Sequence, residues 1–491
     1  MSWIRRFDTR RLVTLIGFLA VFAMAARITM DTDSWWHLRA GQWIWEHQAI
    51  PRVDPFSYTR ANTTWQYPGW LVEVPMYWVY RWLGPGGLNL WTAGMVTLAF
   101  VFIWSTMSGG AFARAFVLVL AAAASGVYWA ARPYLVTFVL VAVFLWILED
   151  FRGKGYPLGY RRIWWIPALM VLWANCHGGF AVGFIVLAVY MLGTLRLETR
   201  EGKIVFGCNF SALRIMILIL ILSLLAVCIN PYGPVMLAYP FKTVGIGALQ
   251  DYIQEWQSPD FHSINVQPFA WLLLLTLGVV GVSRQRIRLT DFFLTAGFSY
   301  MGLLSGRNIA LFALAAPMVI TRHAAPLIAA LSRRLQFRQH PVGLVPAGMA
   351  VINVLIAAVI LIAVGFKVAL VYPESVNESA FRKGLPVEAV EYLRVNHPPG
   401  RLLNSYNWGG YLLWALPEYP VFVDGRTDLY NDEVIGEWLN VARADPGWKQ
   451  VLDRWQVRLI LIEPKTPLIP QLESNGWHKV YSDEVAVIYE R

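Results

Sequence analysis

The sequence predicts a polytopic α-helical membrane protein of about eleven transmembrane helices, with a small α/β domain outside the membrane. Hydrophobic residues make up 57% of the 491-residue chain and charged residues only 15%, whereas soluble domains carry roughly 25% charged residues. Apolar runs recur along the first three quarters, most of them about 16 to 21 residues long, and helices of that length cross a bilayer. A transmembrane barrel would show weak alternating patterns instead.

The candidate spans are 11–28, 86–106, 114–131, 134–150, 163–176, 180–195, 212–229, 267–283, 290–305, 308–321 and 346–372. With eleven spans, five basic clusters fall on one side of the membrane. They are Arg5/Arg6/Arg10/Arg11, Arg152/Lys154/Arg161/Arg162, Arg196/Arg200/Lys203, Arg284/Arg286/Arg288 and Arg322/Arg333/Arg334/Arg338. The positive-inside rule makes that side cytoplasmic. We therefore expect a multi-pass protein of a bacterial plasma (inner) membrane, with a retained first helix, the N-terminus cytoplasmic and the C-terminus extracytoplasmic.

Two domains follow from this topology, a transmembrane domain over 1–372 and an extracytoplasmic α/β domain over 373–491. The large outer loop 29–85 is predicted to hold two interfacial helices, Asp33–His47 and a second stretch from Trp70 to Leu83 that Pro75 interrupts. In the C-terminal domain, helices are predicted over 386–396 and 431–443. Strands are predicted there over 419–423, 458–462 and 484–489.

The net charge of +10 does not indicate nucleic-acid binding. Residues 373–491 hold 12 basic and 17 acidic side chains, a balance of −5, so residues 1–372 carry the remaining +15. The positive charge therefore belongs to the cytoplasmic ends of the spans. Within the acidic C-terminal domain, Asp424 and Arg426 are expected to form a buried ion pair at a strand end or to touch an acceptor.

The candidate site begins at Asp31 and Asp33, directly after the first span. Two carboxylates two residues apart at a membrane surface could hold a divalent cation or act as a general base. His37 and Arg39 follow closely enough to serve a phosphate. The alternative is a helix cap followed by interfacial aromatic residues, and the composition favours neither.

The segment from Asp33 to Arg39, Asp-Ser-Trp-Trp-His-Leu-Arg, resembles the Asp-x-aromatic-aromatic-x-x-Arg segment of oligosaccharyltransferase catalytic subunits. These belong to the GT-C glycosyltransferase superfamily, as do protein O-mannosyltransferases and aminoarabinose transferases. The chain is most similar to a group of bacterial membrane proteins in that superfamily. The similar segments are 33–38, 54–59, 173–179, 230–233, 255–256, 307–308, 407–411 and 424–428. A clear Trp-Trp-Asp acceptor-reading motif is missing, which speaks against a sequon-reading oligosaccharyltransferase.

The resemblance implies transfer of a sugar from a polyprenyl-phosphate or polyprenyl-pyrophosphate donor to an acceptor at the extracytoplasmic face, with inversion at the anomeric carbon. The acceptor would be a protein, a lipid or a glycan, and the partners would be membrane lipids and the donor rather than nucleic acid. Asp33, or failing it Asp31, would take the acceptor proton. The two carboxylates would also hold Mg²⁺ or Mn²⁺ if a metal takes part.

The remaining site residues take supporting roles under the same resemblance. Arg307, or failing it Arg39, would bind the leaving phosphate, and His37 and His177 would assist in donor binding. The cavity or acceptor residues would be Glu255, Trp256, Trp408 and Tyr411. Taken alone, His177 is a residue that more often satisfies backbone groups at a tight turn, and Glu255 is more often a solvated loop acid.

Two other classes of function stay open at the level of sequence. A transporter or flippase of a lipid-linked or anionic substrate would show polar residues near the bilayer midplane and repeated halves; neither is evident. A non-catalytic assembly or anchoring protein would work through its outer domain and would tolerate replacement of Asp31 and Asp33.

Overall fold

The computed structural model describes residues 4–153, 160–200, 203–247, 253–335 and 345–491. The chain is mostly helical, and a helix lies at each of the eleven predicted spans, with ends shifted by a few residues. Lys154 and Arg338 of the basic clusters lie outside the described residues. The α-helices are α1 (Thr9–Ala25), α2 (Asp33–His47), α3 (Trp70–Thr106), α4 (Ala111–Ser125), α5 (Tyr134–Gly153), α6 (Tyr160–Ile163), α7 (Trp165–Ala174), α8 (Phe180–Leu192), α9 (Phe210–Val227), α10 (Tyr239–Val244), α11 (Gln267–Val282), α12 (Leu289–Leu304), α13 (Ile309–Arg334), α14 (Ala347–Val371), α15 (Glu374–Phe381), α16 (Val387–Asn396), α17 (Gly409–Ala415), α18 (Thr427–Ala442), α19 (Trp448–Arg454) and α20 (Ile469–Glu473).

Six helical segments in the described part of the chain are long and apolar enough to cross a membrane. They are Trp70–Thr106, Ala111–Tyr128, Tyr134–Gly153, Phe210–Val227, Gly306–Arg334 and Ala347–Val371. Three shorter apolar helices, α8, α11 and α12, lie among them. Many apolar side chains on the outside of the bundle are exposed, such as Ile362 and Phe366 of α14, as expected of a surface that faces lipid. The predicted fold class, a polytopic helical membrane protein with a small C-terminal α/β region, is confirmed.

Helix α5 runs through the centre of the bundle. Nearly all of its residues from Tyr134 to Leu148 are buried, and it packs against α3, α8 and α13. At its far end, Glu149 Oε2 lies 2.8 Å from Arg322 Nη2 of α13, and Glu149 Oε1 accepts a hydrogen bond from Tyr190 of α8. Arg152 also pairs with Glu149. Arg152, in the last turn of α5, and Arg322, in the middle of α13, therefore meet Glu149 on one side of the bundle.

The opposite side of the bundle is covered by loop 29–85. Helix α2 has the predicted bounds and packs against the first half of α3. The prediction that Pro75 interrupts the second stretch is wrong, because α3 continues through it. The bend comes instead at Gly84, whose φ of 63° belongs to the left-handed region that glycine adopts without steric cost. Gly84 thus separates the part of α3 within the loop from the part that enters the bundle.

The C-terminal region contains a four-stranded sheet of order β3-β4-β6-β5, and a separate two-stranded hairpin joins α8 to α9. Strand β3 is parallel to β4, and the other two pairings are antiparallel. The prediction of a strand over 419–423 is wrong, since only an isolated bridge between Ser57 and Val421 forms there. The strands are β1 (Leu195–Arg200), β2 (Lys203–Cys208), β3 (Arg401–Asn404), β4 (Val457–Ile462), β5 (His478–Ser482) and β6 (Val487–Glu490).

Helix α14 ends at Val371 and α15 begins at Glu374, so a break in the chain lies where the domain boundary is predicted. The sheet region does not stand apart from loop 29–85, because α17 packs directly on α2. The division into domains at 372 and 373 stays a prediction.

Candidate active site

Three carboxylates surround the guanidinium of Arg132 at the end of the bundle that loop 29–85 covers. Arg132 Nε and Nη2 lie 2.6 and 2.5 Å from the two oxygens of Asp31. Arg132 Nη1 lies 3.0 Å from Asp33 Oδ2 and 3.6 Å from Glu255 Oε2. These residues come from the end of the first span, the start of α2, the turn before α5 and the loop before α11. The fold therefore brings Glu255 to Asp31 and Asp33, where the resemblance placed it, rather than leaving it as a solvated loop acid.

Asp31 is held on all sides by hydrogen bonds. Its Oδ1 accepts the backbone N–H groups of Asp33 at 3.0 Å and of Ser34 at 3.1 Å, which lack partners within the first turn of α2. Both of its oxygens also bind Arg132. The sequence presented a helix cap and a charged site as alternatives. Asp31 serves in both, because it caps α2 and also pairs with Arg132. An acid so fully engaged is suited to position its neighbours rather than to accept a proton.

Asp33 is the carboxylate best suited to act as a base. Burial raises its pKa to about 7; the charge of Arg132 opposes this rise, and the nearby carboxylates of Asp31, Glu255 and Asp424 add to it. A general base works best when its pKa lies near the working pH. Its side chain keeps 22% of its surface exposed, which leaves a path for an acceptor.

Gly425 of the C-terminal region packs directly against the Asp33 carboxylate. A Cβ atom at position 425 would lie 1.7 Å from Asp33 Oδ1, so only glycine allows this approach. The turn is fixed by Arg426, whose Nη1 lies 2.5 Å from Asp54 Oδ1 and whose Nη2 lies 2.6 Å from Asp424 Oδ2. All three charged side chains are fully buried. The predicted Asp424–Arg426 pair is present, and the structure adds Asp54 from loop 29–85.

Arg307 lies next to this cluster, on the turn between α12 and α13. Its guanidinium carbon is 4.2 Å from the centroid of the Trp256 ring, within the range of a cation–π contact. Ser305 Oγ donates to the backbone oxygen of Glu255, and the Gly306 N–H donates to that of Gln257. The turn with Arg307 and the loop with Glu255 and Trp256 therefore form one unit. The Arg307 side chain also hydrogen-bonds Tyr128, and its planar guanidinium suits it to bind an anionic ligand.

His177 is fixed as a neutral hydrogen-bond donor. Its Nδ1 accepts the Gly179 N–H at 3.0 Å and lies 2.8 Å from Thr137 Oγ1. Because Nδ1 accepts the Gly179 N–H, it carries no hydrogen, so the Thr137 hydroxyl donates to it and in turn accepts the indole N–H of Trp173. Burial lowers the pKa of His177 to about 3, with the charges of Arg307 and Arg132 adding to the effect. The proton thus resides on Nε2, for which the described part of the chain offers no partner.

His37 and Arg39 hydrogen-bond residues other than those of this cluster, although the charges of Arg132 and His177 act on His37. His37 is buried, with its Nδ1 2.6 Å from Glu73 Oε1 and 2.9 Å from the hydroxyl of Tyr67. Burial also lowers its pKa well below the usual value. Arg39 donates to Gln42 on its own helix. The expectation that these two residues serve a phosphate therefore has no support from their positions.

Trp408 and Tyr411 pack in the interface between the C-terminal region and α2. Trp408 is 3% exposed and its indole N–H donates to the backbone oxygen of Gly384. Tyr411 is 8% exposed and meets Trp35 edge-on, with 5.4 Å between the ring centroids. Neither ring offers a free face to an acceptor in this arrangement, so their contribution here is packing.

Sequence reasoning missed Arg132, the residue at the centre of the cluster. One signal was available, because Arg132 is the single charged residue between Arg114 and Glu149. A lone charge in a tight turn between two apolar runs is costly unless it is paired. Its partners come from distant segments, so the sequence alone did not identify them.

The carboxylates expected to bind a divalent metal are occupied by Arg132. Within the described residues, no group of three His, Cys, Asp or Glu side chains is arranged to hold a metal ion. The space between Asp31, Asp33 and Glu255 that such an ion would take is filled by the guanidinium. The residues do not fit a divalent ion in this arrangement.

Two solved structures with the same architecture are those of the archaeal oligosaccharyltransferase AglB from Archaeoglobus fulgidus. One, tethered to an acceptor peptide containing the NVT sequon, is 12% identical with a TM-score of 0.59, over 94% of this chain and 70% of that one. The other, in complex with an inhibitory peptide and a dolichol-phosphate, is 11% identical with a TM-score of 0.56, over 91% of this chain and 69% of that one. The chain has a GT-C fold. No protein-family model matches it, and no curated protein matches it.

Proposed function

We propose that this protein is a GT-C glycosyltransferase that transfers a sugar from a polyprenyl-linked phosphate donor to an acceptor hydroxyl at the extracytoplasmic membrane face. The observation that carries the proposal is the Arg132 cluster, in which Asp33, with a pKa of about 7, pairs with Arg132. The charges of Arg132 and Arg307 both act on the neighbouring His177. The GT-C fold adds support, because AglB of that fold has been solved with a dolichol-phosphate.

In the proposed reaction, Asp33 accepts the proton of the acceptor hydroxyl while that oxygen forms a bond to the anomeric carbon of the donor. The bond between this carbon and the phosphate oxygen breaks at the same time, so the phosphate leaves with its electron pair and the anomer inverts. Arg307 stabilises the charge that develops on the leaving phosphate, and the Nε2–H group of His177 supplies a second donor. Asp31 and Arg132 hold Asp33 in place.

The proposed orientation follows from where the charges lie. Arg152 and Arg322 meet at one end of the bundle, and Asp33 and Arg307 lie at the other. Since basic clusters mark cytoplasmic ends, we place the active site on the extracytoplasmic side of a bacterial plasma membrane. A donor carried by a polyprenyl lipid would reach this site from the outer leaflet.

The direct test is turnover by the purified protein in lipid nanodiscs. A panel of polyprenyl-phosphate and polyprenyl-pyrophosphate sugars is offered with protein, lipid and glycan acceptors. We expect at least one donor to release its free lipid phosphate together with a glycosylated acceptor. Transport of intact donor across the bilayer without cleavage would show that the protein is a flippase and not a glycosyltransferase. No cleavage of any donor in any acceptor arm would contradict it.

The pH dependence of turnover is expected to follow the protonation of Asp33. The base must be ionised, so kcat/KM falls about tenfold per pH unit below pH 7, because burial raises its pKa to about 7. Since Glu255 contributes to that rise, Glu255→Gln should move the falling limb to lower pH. The profile of kcat/KM for the acceptor is measured from pH 5 to 9 with the acceptor below its KM. If kcat/KM of the wild type stays constant down to pH 5, Asp33 is not the general base.

Arg307→Ala is expected to weaken binding of polyprenyl phosphate about tenfold or more, because a charged hydrogen bond to the phosphate is lost. Arg307→Lys keeps the charge but not the paired N–H groups, so we expect a smaller loss. Affinity is measured by titration into nanodiscs, with Arg401→Ala as the control, since Arg401 bonds the backbone of Trp455 and stacks over Tyr58. Equal affinities of wild type and Arg307→Ala would place the phosphate elsewhere.

A further inference from the structure

We propose that Arg132 takes the place of a divalent metal ion, so that the site works without metal and becomes a metal site only when this side chain is removed. The arrangement around Arg132 suggests it. Three carboxylates, two from the segment 31–33 and one from the loop before α11, surround one centre. Oxygen ligands of this kind are those that Mg²⁺ and Mn²⁺ prefer, yet the centre is a guanidinium.

The charges explain why the wild-type site excludes a metal ion. Asp31, Asp33 and Glu255 bring three formal negative charges, and Arg132 compensates one of them. An arginine stays protonated at every working pH, so it cannot yield its position by losing a proton. Its guanidinium also hydrogen-bonds both oxygens of Asp31 and pairs with one oxygen of Asp33. A divalent ion would have to break the pairs of the buried Arg132 with these carboxylates and leave its charge uncompensated.

The geometry also explains why the site would accept a metal once the guanidinium is gone. The carboxylate oxygens lie 2.5 to 3.6 Å from the Arg132 nitrogens, so they already face the volume that the guanidinium would leave. Asp31 is fixed by the N-terminal N–H groups of α2 and Asp33 is held under Gly425. Two of the three ligands would therefore keep their positions.

Metal binding is measured with Mn²⁺ by electron paramagnetic resonance on the full-length protein in nanodiscs. The variants are Arg132→Ala, the charge-conserving Arg132→Lys, and Arg132→Ala combined with Asp33→Asn. We expect no stoichiometric Mn²⁺ on the wild type or on Arg132→Lys. Arg132→Ala should bind one Mn²⁺ at least tenfold more tightly than the wild type, and the double variant should lose it. Arg132→Gln serves as a second neutral variant if Arg132→Ala does not fold.

Two results would overturn the proposal. Stoichiometric Mn²⁺ on the wild type that Asp33→Asn abolishes would show that Arg132 does not exclude the metal. Folded Arg132→Ala and Arg132→Gln that bind no Mn²⁺ would show that the carboxylates do not form a cation site. These results do not depend on sugar transfer. The further expectation that wild-type turnover is unchanged by EDTA does rest on the proposed function, and its failure with no Mn²⁺ bound at the cluster would leave the Arg132 assignment intact.

Discussion

Asp33→Asn is expected to lower kcat for sugar transfer about a thousandfold, because general base catalysis contributes about 10²–10⁴ in rate. The amide has the size of the carboxylate and can still accept a hydrogen bond from Arg132, but it cannot take a proton. KM for the donor should change little, since the donor phosphate is assigned to Arg307. The measurement is steady-state turnover of wild type and variant with one donor of the panel.

The matched control is Asp260→Asn, which makes the same chemical change at an exposed site. The Asp260 side chain is 69% exposed and contacts only His262, so turnover should match that of the wild type. Thermal unfolding of both variants shows whether the fold is kept. A folded Asp33→Asn that turns over at the wild-type rate would contradict the assignment of Asp33, and Glu255→Gln would then be compared.

Arg426→Met is expected to destabilise the protein by about 3–5 kcal/mol, since removing one partner leaves a buried charge uncompensated. Here it leaves two, Asp54 and Asp424, both fully buried. Because the guanidinium joins loop 29–85 to the C-terminal region, the loss should also release Gly425 from Asp33. The expected results are a lower unfolding temperature in nanodiscs and faster proteolysis near position 425.

The control for this prediction is Arg491→Met, which breaks an exposed pair with Asp453 and should change the unfolding temperature little. Adding Asp54→Asn and Asp424→Asn to Arg426→Met removes the unpaired charges and should recover part of the loss. If Arg426→Met unfolds at the same temperature as Arg491→Met, the buried cluster does not hold the two regions together.

The membrane architecture could be predicted from sequence because the bilayer sets the length of each apolar run. Helix α2 was also predictable to the residue, since it starts at the Asp31/Asp33 pair, of which Asp31 accepts the first N–H groups of the helix. The predicted interruption at Pro75 is wrong. Pro75 removes one N–H near the start of α3, where Leu71 is still 36% exposed and its carbonyl can be hydrated, so the helix tolerates it.

The small sheet was predicted less well because strand pairing depends on distant segments. Strand β3 has four residues and pairs with β4, more than 50 positions later, so it carries little local signal. Residues 419–423 have the strand-like pattern but are engaged otherwise. The Phe422 N–H bonds the side chain of Asn404, and Val421 bridges to Ser57 of the outer loop. Tertiary contacts thus overrode local preference.

For the site, the convergence of Asp31, Asp33, Glu255, Arg307 and His177 followed from topology, because alternating spans bring their ends to one side. Arg39 and His37, which follow Asp33 closely in the sequence, do not hydrogen-bond the residues of this site. Arg39 lies six residues after Asp33, which puts it on a different face of α2. His37 shares the face of Asp33 but lies one turn farther along α2, where Glu73 and Tyr67 cover it.

The central claim is that a lipid-linked sugar reacts between Asp33 and Arg307. The measurement that tests it most directly is the structure of Asp33→Asn, which should bind but not turn over, in nanodiscs with a donor that the wild type cleaves. The account predicts the phosphate on the Arg307 guanidinium and the anomeric carbon beside Asn at position 33, with the lipid chain leaving toward the bilayer. A donor held at the end that carries Arg152 and Arg322, or away from Asp33 and Arg307 altogether, would contradict it.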